Sequence, residues 1–178
     1  MIGVSSKFTE RVTGSEPVFL AWEAGSLLCL HVVKAPRAPP TVEIVQRGQF
    51  HHVELWVPRI DEAIASIGWL LESLGYEPFQ NWENGRSWLL SDTYVVLERS
   101  PALTGDTHDR LRPGLNHLAF HAGTVREVEE LTRAALEHGW VLLFGEAHPY
   151  AGGPEHYASY LTNADGFEVE LVADLASA

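Results

Sequence analysis

The sequence predicts an α+β fold: two β-α-β-β-β modules in tandem, preceded by an N-terminal extension of β-strands. Three observations point there. A histidine-led strand pattern occurs twice, as HVELWV (52–57) and HLAFHA (117–122). Each is followed by an apolar stripe at helical spacing that stops at a glycine, and then by three short strand candidates. The run KAPRAPPT (34–41), with three prolines, ends both helix and central strand and sets residues 1–45 apart from a domain over 46–178.

In the extension, 17–22 and 26–33 read as strands around an Ala24-Gly25-Ser26 turn. In the first module (about 50–100), Ile60, Ile64, Ile67, Leu71 and Leu74 form one helical stripe, with Asp61 as the expected N-cap. In the second (about 115–174), Thr124 and Glu127 form a T-x-x-E capping box, and Val128, Leu131 and Ala135 give the stripe. The helices end at Gly75-Tyr76 and Gly139-Trp140, 23 residues after His52 and 22 after His117. Strands are expected at about 76–82, 86–91 and 93–99, then at about 140–145, 156–163 and 166–173. Asn84-Gly85, Ser91-Asp92 and Asp165-Gly166 supply turn formers.

The formal net charge of −12 repels phosphate backbones, so nucleic acid is not an expected partner. The stretch PVFLAWEAGSLLCLHVV (17–33) is interrupted by Glu23 and Gly25 and is too short for a membrane span, so no membrane partner is expected. A single cysteine, Cys29, excludes an internal disulfide. With no apolar signal-type core in MIGVSSKFTERV, a cytoplasmic location follows as the expectation.

The chemistry is expected where strands carry polar side chains on one face. His52, Glu54 and Trp56 share a face, as do His117, Ala119 and His121, opposite apolar residues that suit packing under the helices. Glu170 lies mid-strand in DGFEVEL, with Glu168 two positions earlier, and a carboxylate in a buried strand needs a cation or hydrogen-bond donors. Two imidazoles and one carboxylate suit non-haem iron(II), with zinc, manganese or nickel also possible. One histidine in a strand is ordinarily structural; two at equivalent places in a repeat, with Glu170, point to a metal. His51 faces the other way and reads as structural, and His121 as a residue at a cavity rim.

Paired β-α-β-β-β modules resemble the vicinal oxygen chelate superfamily of glyoxalases, extradiol dioxygenases, fosfomycin-resistance transferases and bleomycin-binding proteins. The resemblance covers about 48–174 and implies a cupped mixed sheet around a metal site. Carried over, the ligands are His52, His117 and Glu170. By the repeat, the fourth ligand position of glyoxalases falls on Leu97, one residue from Glu98, which would then face away. YASYLTNADGFEVE resembles the extradiol dioxygenase signature at Tyr160, Asn163, Gly166 and Glu170, with Ala164 where proline is usual. The family's acid/base histidine lies seven to nine residues before the tyrosine, whereas His156 is four before and His148 twelve before. Both are therefore proton-transfer candidates, with Tyr160 as hydrogen-bond donor.

The segment GEAHPYAGGPEH (145–156) suits a lid carrying Tyr150. Arg59, Arg86 or Arg112 could pair a substrate carboxylate, and Glu54 a substrate amine. The resemblance implies an iron(II) extradiol dioxygenase acting on a small catechol such as L-DOPA with dioxygen, as monomer or homodimer. The alternatives are a glyoxalase-like lyase or isomerase, a thiol transferase, and a metal-free antibiotic-binding protein.

Overall fold

The structure is a computed structural model that describes residues 47–175, together with the backbone of two short strands at 18–20 and 31–33. The chain divides into two compact units, residues 1–44 and 45–178. In the first, β1 (Val18–Leu20) pairs antiparallel with β2 (His31–Val33), Val18 opposite Val33. The expected turn at 24–26 lies outside the described residues.

The second unit holds two four-stranded mixed sheets of the same design. One contains β3 (His52–Trp56), β4 (Glu77–Trp82), β5 (Gly85–Leu90) and β6 (Thr93–Glu98), in the order β3-β6-β5-β4. The other contains β7 (Leu118–His121), β8 (Val141–Leu142), β9 (Ala158–Thr162) and β10 (Glu168–Val172), in the order β7-β10-β9-β8. In each, the first and last strands pair in parallel and the rest antiparallel. The crossover in the first module is α1 (Ile60–Ala63), a π-helical stretch (Ile64–Gly68) and α2 (Trp69–Ser73); in the second it is α3 (Val125–Glu137). This is the tandem β-α-β-β-β architecture the repeat predicts.

Local chemistry explains most boundaries. Thr124 and Glu127 close a complete capping box at α3. Gly75 and Gly139 adopt φ of 88° and 80°, the left-handed stop that L side chains resist. Asp61 is not the cap expected of it: the N-cap position is Arg59, with no side-chain cap, and Asp61 sits in the first turn, where its charge favours the helix N-terminus. Gly85 is not a turn residue either. Trp82 pairs with Gly85 across the hairpin, and a Cβ there would run into the Trp82 ring. β8 stops after two residues because Phe144 turns left-handed (φ 54°) and its carbonyl accepts from the amides of Ala147 and His148.

Leu55, Leu71, Trp88 and Leu97 from the first module and Val128, Trp140, Leu161 and Leu171 from the second belong to one buried cluster. Val53, Leu118 and Phe120 pack against it, so the apolar strand faces lie under the helices and the histidine faces look the other way. Among the described residues, no helix is long and apolar enough to cross a membrane.

Candidate functional site

The open face of the second sheet gathers the chemistry. Glu170, in the middle of β10, is 6% exposed. His117 Nε2 lies 3.2 Å from one of its oxygens, and His156 Nε2 lies 2.5 Å from the other. Tyr160, directly opposite Glu170 on β9, donates its hydroxyl to the same carboxylate. Burial alone would raise the Glu170 pKa. The bonds from Tyr160 and His156, with the charges of His156 and His117, outweigh burial and hold it below the ordinary carboxylate value. Burial, then the hydrogen bond to Glu170 and its charge, push the Tyr160 phenol up to about 12.

The orientation of His117 is fixed from behind. Asn116 Nδ2 donates to the Arg110 carbonyl at 3.0 Å, and a carbonyl can only accept. The Asn116 amide is thereby oriented with Oδ1 toward His117 Nδ1, 2.8 Å away, which makes Nδ1 the protonated nitrogen. With only Nδ1 protonated, Nε2 would present a lone pair to a carboxylate oxygen. That arrangement calls for a cation between them, either a proton or a metal ion. Sequence reasoning missed Asn116; its position beside His117 was the available signal.

The segment before β9 folds over this cluster. A Cβ on Gly152 would sit 2.5 Å from the His156 ring and 2.7 Å from the Tyr160 hydroxyl, so only glycine allows so close an approach. The other end of the segment is tied to α3. His148 Nε2 lies 3.1 Å from Glu129, which also accepts from the Tyr157 hydroxyl at 2.8 Å.

Several expected site residues lie elsewhere. His52 is not in the Glu170 cluster: its ring stacks on Tyr94 and meets His51 Nδ1 at 2.9 Å, on the first sheet. Among the described residues, no group of three or more His, Cys, Asp or Glu side chains is placed to hold a metal ion. His148 is turned to Glu129 rather than to Glu170. Tyr150 sets its ring edge-on to Tyr157. Arg59 pairs with Asp165, whose side chain is 1% exposed, and so is committed within the fold. Glu54 is exposed and accepts from the Trp56 indole at 2.7 Å. His121 lines a surface groove beside Trp69, Leu74 and Leu131.

The sheet register also corrects the repeat alignment by one residue. β3 pairs His52 with Tyr94 and Glu54 with Val96, while β10 pairs Glu170 with Ala119. The place equivalent to Glu170 is therefore Val96, not Leu97. Glu98, opposite Trp56, shares the face of His52 instead of facing away.

Residues 51–160 match the family model described as the glyoxalase/bleomycin resistance protein/dioxygenase superfamily. The chain is 40% identical over 125 residues to the uncharacterized protein YqjT of Bacillus subtilis (strain 168), covering 69% of this chain and 97% of YqjT. A solved structure from Bacillus halodurans, provisionally called a glyoxalase, shares 43% identity at a TM-score of 0.68, covering 72% of this chain and 97% of that one. A glyoxalase/bleomycin resistance protein from Albidiferax ferrireducens T118, 17% identical, shares the fold at a TM-score of 0.57 over 70% of this chain and 98% of its own. With two modules of one design and a family match spanning both, the chain belongs to the glyoxalase/bleomycin resistance protein/dioxygenase superfamily, also called the vicinal oxygen chelate superfamily.

Proposed function

We propose that this chain is a metal-dependent enzyme of its superfamily, an iron(II) extradiol dioxygenase that opens the ring of a small catechol such as L-DOPA. One observation carries the reading: His117 Nε2 and His156 Nε2, from separate elements, are both directed at the buried Glu170 carboxylate. An imidazole and a carboxylate are donors suited to a first-row divalent ion, and a second imidazole beside them can move protons. His117 and Glu170 would hold the ion, with His156 outside its coordination. An iron(II) ion would supply open positions for a catechol and for dioxygen.

The chain's own groups do the rest. Asn116 keeps the His117 Nε2 lone pair facing the centre. His156, 39% exposed and bonded to Glu170, can accept a proton from an arriving hydroxyl and return it. Tyr160 remains a hydrogen-bond donor throughout the neutral range because its proton is held to about pH 12. Gly152 lets the backbone of the 145–156 segment close down on these groups and exclude water.

The test is metal analysis of protein purified without chelator, then an oxygen electrode with the iron(II)-loaded protein and a catechol panel that includes L-DOPA. Oxygen uptake with a yellow ring-opened product is expected, and it should be lost in Glu170→Gln. Iron bound without oxygen uptake on any catechol would overturn the dioxygenase reading. A glyoxalase-like lyase or isomerase is the second reading. Its support is Glu98, a carboxylate on the face of His52, and its mark would be turnover of a hemithioacetal without oxygen.

A further inference from the structure

Beside the Glu170 cluster lies a second group of side chains with no role in the chemistry above. Arg110 Nε is 2.8 Å from Oε2 of Glu168, whose side chain is 2% exposed, but the geometry makes an ion pair and not an aligned hydrogen bond. The guanidinium carbon stands 5.7 Å from the centre of the Phe144 ring. The terminal nitrogens of Arg110 form no hydrogen bond with any described residue, and the side chain is 27% exposed. Phe144 is 47% exposed and is held at φ 54°, a backbone state that costs an aromatic residue energy. Its ring meets Tyr160 edge-on at 5.6 Å, and Tyr160 bonds Glu170. Asn116 joins the Arg110 carbonyl to His117. Phe144 thus links the guanidinium to Tyr160, while Asn116 ties the Arg110 backbone to His117.

We propose that Arg110 and Phe144 form the anion-binding end of the substrate site and select a small aromatic carboxylate. The buried Glu168 fixes the Nε edge of the guanidinium. The two terminal nitrogens are left as a planar fork, which pairs with a carboxylate through two parallel hydrogen bonds. The exposed Phe144 ring offers an apolar wall to the ligand's ring. The aromatic body then lies between Arg110 and the His117–Glu170 centre, with its reacting substituents at the centre and its carboxylate at the fork. This rests on the proposed function for which end reacts, but the binding preference stands apart from any metal or turnover.

The test therefore uses equilibrium binding to the full chain without added metal, with benzoate and benzamide as probes. They differ only in the charged group. Calorimetry should show benzoate binding about tenfold or more tighter than benzamide, as one charge-assisted pair implies. That ratio should fall severalfold in Arg110→Lys, which keeps the charge and loses the fork. It should fall close to one in Arg110→Gln combined with Glu168→Gln, which removes the charge without leaving a buried unpaired carboxylate, and thermal melting checks that each variant is folded. Equal affinities in the native protein, no benzoate binding at millimolar concentration, or a ratio that survives both variants would overturn the proposal. A preserved benzoate preference without oxygen uptake on catechols would instead remove only the dioxygenase reading.

Discussion

At the scale of single residues, the site is a problem in protons. Asn116 has both ends of its amide committed, one to a carbonyl and one to His117. Replacing it with alanine frees the imidazole to rotate and to change tautomer. Nitrogen NMR should report Nδ1 protonated in His117 of the native protein and a mixture in Asn116→Ala, with metal affinity falling about 10- to 100-fold. A native spectrum with Nε2 carrying the sole ring proton would refute the assignment.

Tyr157 and Tyr160 make the second residue-scale prediction. Burial, followed by their bonds to Glu129 and Glu170 respectively, pushes both phenols to about 12, against 10 in a free side chain. The folded chain then holds these protons where the unfolded chain has lost them. Their contribution to stability is complete below pH 10 and is lost as pH climbs toward 12. A phenolate titration of native protein should show Tyr157 and Tyr160 ionising late, together with Tyr76, whose phenol burial also raises, and denaturant should return them to ordinary behaviour. If Tyr157→Phe and Tyr160→Phe each remove signal from the ordinary range instead, the environments are misjudged.

At the scale of elements, the turn between β9 and β10 matters as much as the strands. Asp165 sits in that turn, 1% exposed, and reaches Arg59 at the N-terminus of the first-module helix. Burial, with the nearby charge of Glu62, raises the Asp165 pKa despite the opposing pull of Arg59, so the charge is tolerated only with its partner. Arg59→Ala should destabilise by about 1–3 kcal/mol, below the figure for a fully buried pair because Arg59 is 41% exposed. Arg59→Ala with Asp165→Asn should recover much of that loss in urea unfolding. No loss in the single variant would mean that water or another donor satisfies Asp165. Asn163 supports the same turn, its Oδ1 accepting from the amides of Asp165 and Phe167.

At the scale of the whole molecule, one apolar cluster draws side chains from both modules, and the Trp140 indole donates to the Ser66 carbonyl across them. Residues 47–175 should therefore open as one cooperative unit. Hydrogen exchange in β5, β6, β9 and β10 should share a single global opening free energy, and separate energies for the two sheets would contradict a common core.

Much of this plan was legible in the chain. Hydrophobic period separates helix from strand, a glycine stop needs only its own φ, and the Thr124–Glu127 box is local, so these elements could be read residue by residue. Glu170 stood out because a carboxylate in an apolar strand demands partners. Register was not legible in the same way. A one-residue slip moves a side chain to the opposite face, and only the pairing of β3 with β6 placed Val96 and Glu98 on the His52 side. Nor could spacing say that His156, rather than His52, would meet Glu170, or that His148 would turn to Glu129. Those outcomes depend on where a loop of a dozen residues is anchored.

The sequence alone determined the repeat, the order of the elements, the apolar and polar faces of each strand, and the carboxylate around which polar groups must gather. These follow from local conformational preference and from the cost of burying charge, both properties of short stretches of chain. The tertiary structure decided which histidines reach that carboxylate, which nitrogen of His117 faces it, and which arginine stands beside it. Such choices are made by contacts between residues far apart in the chain, and no local periodicity encodes them.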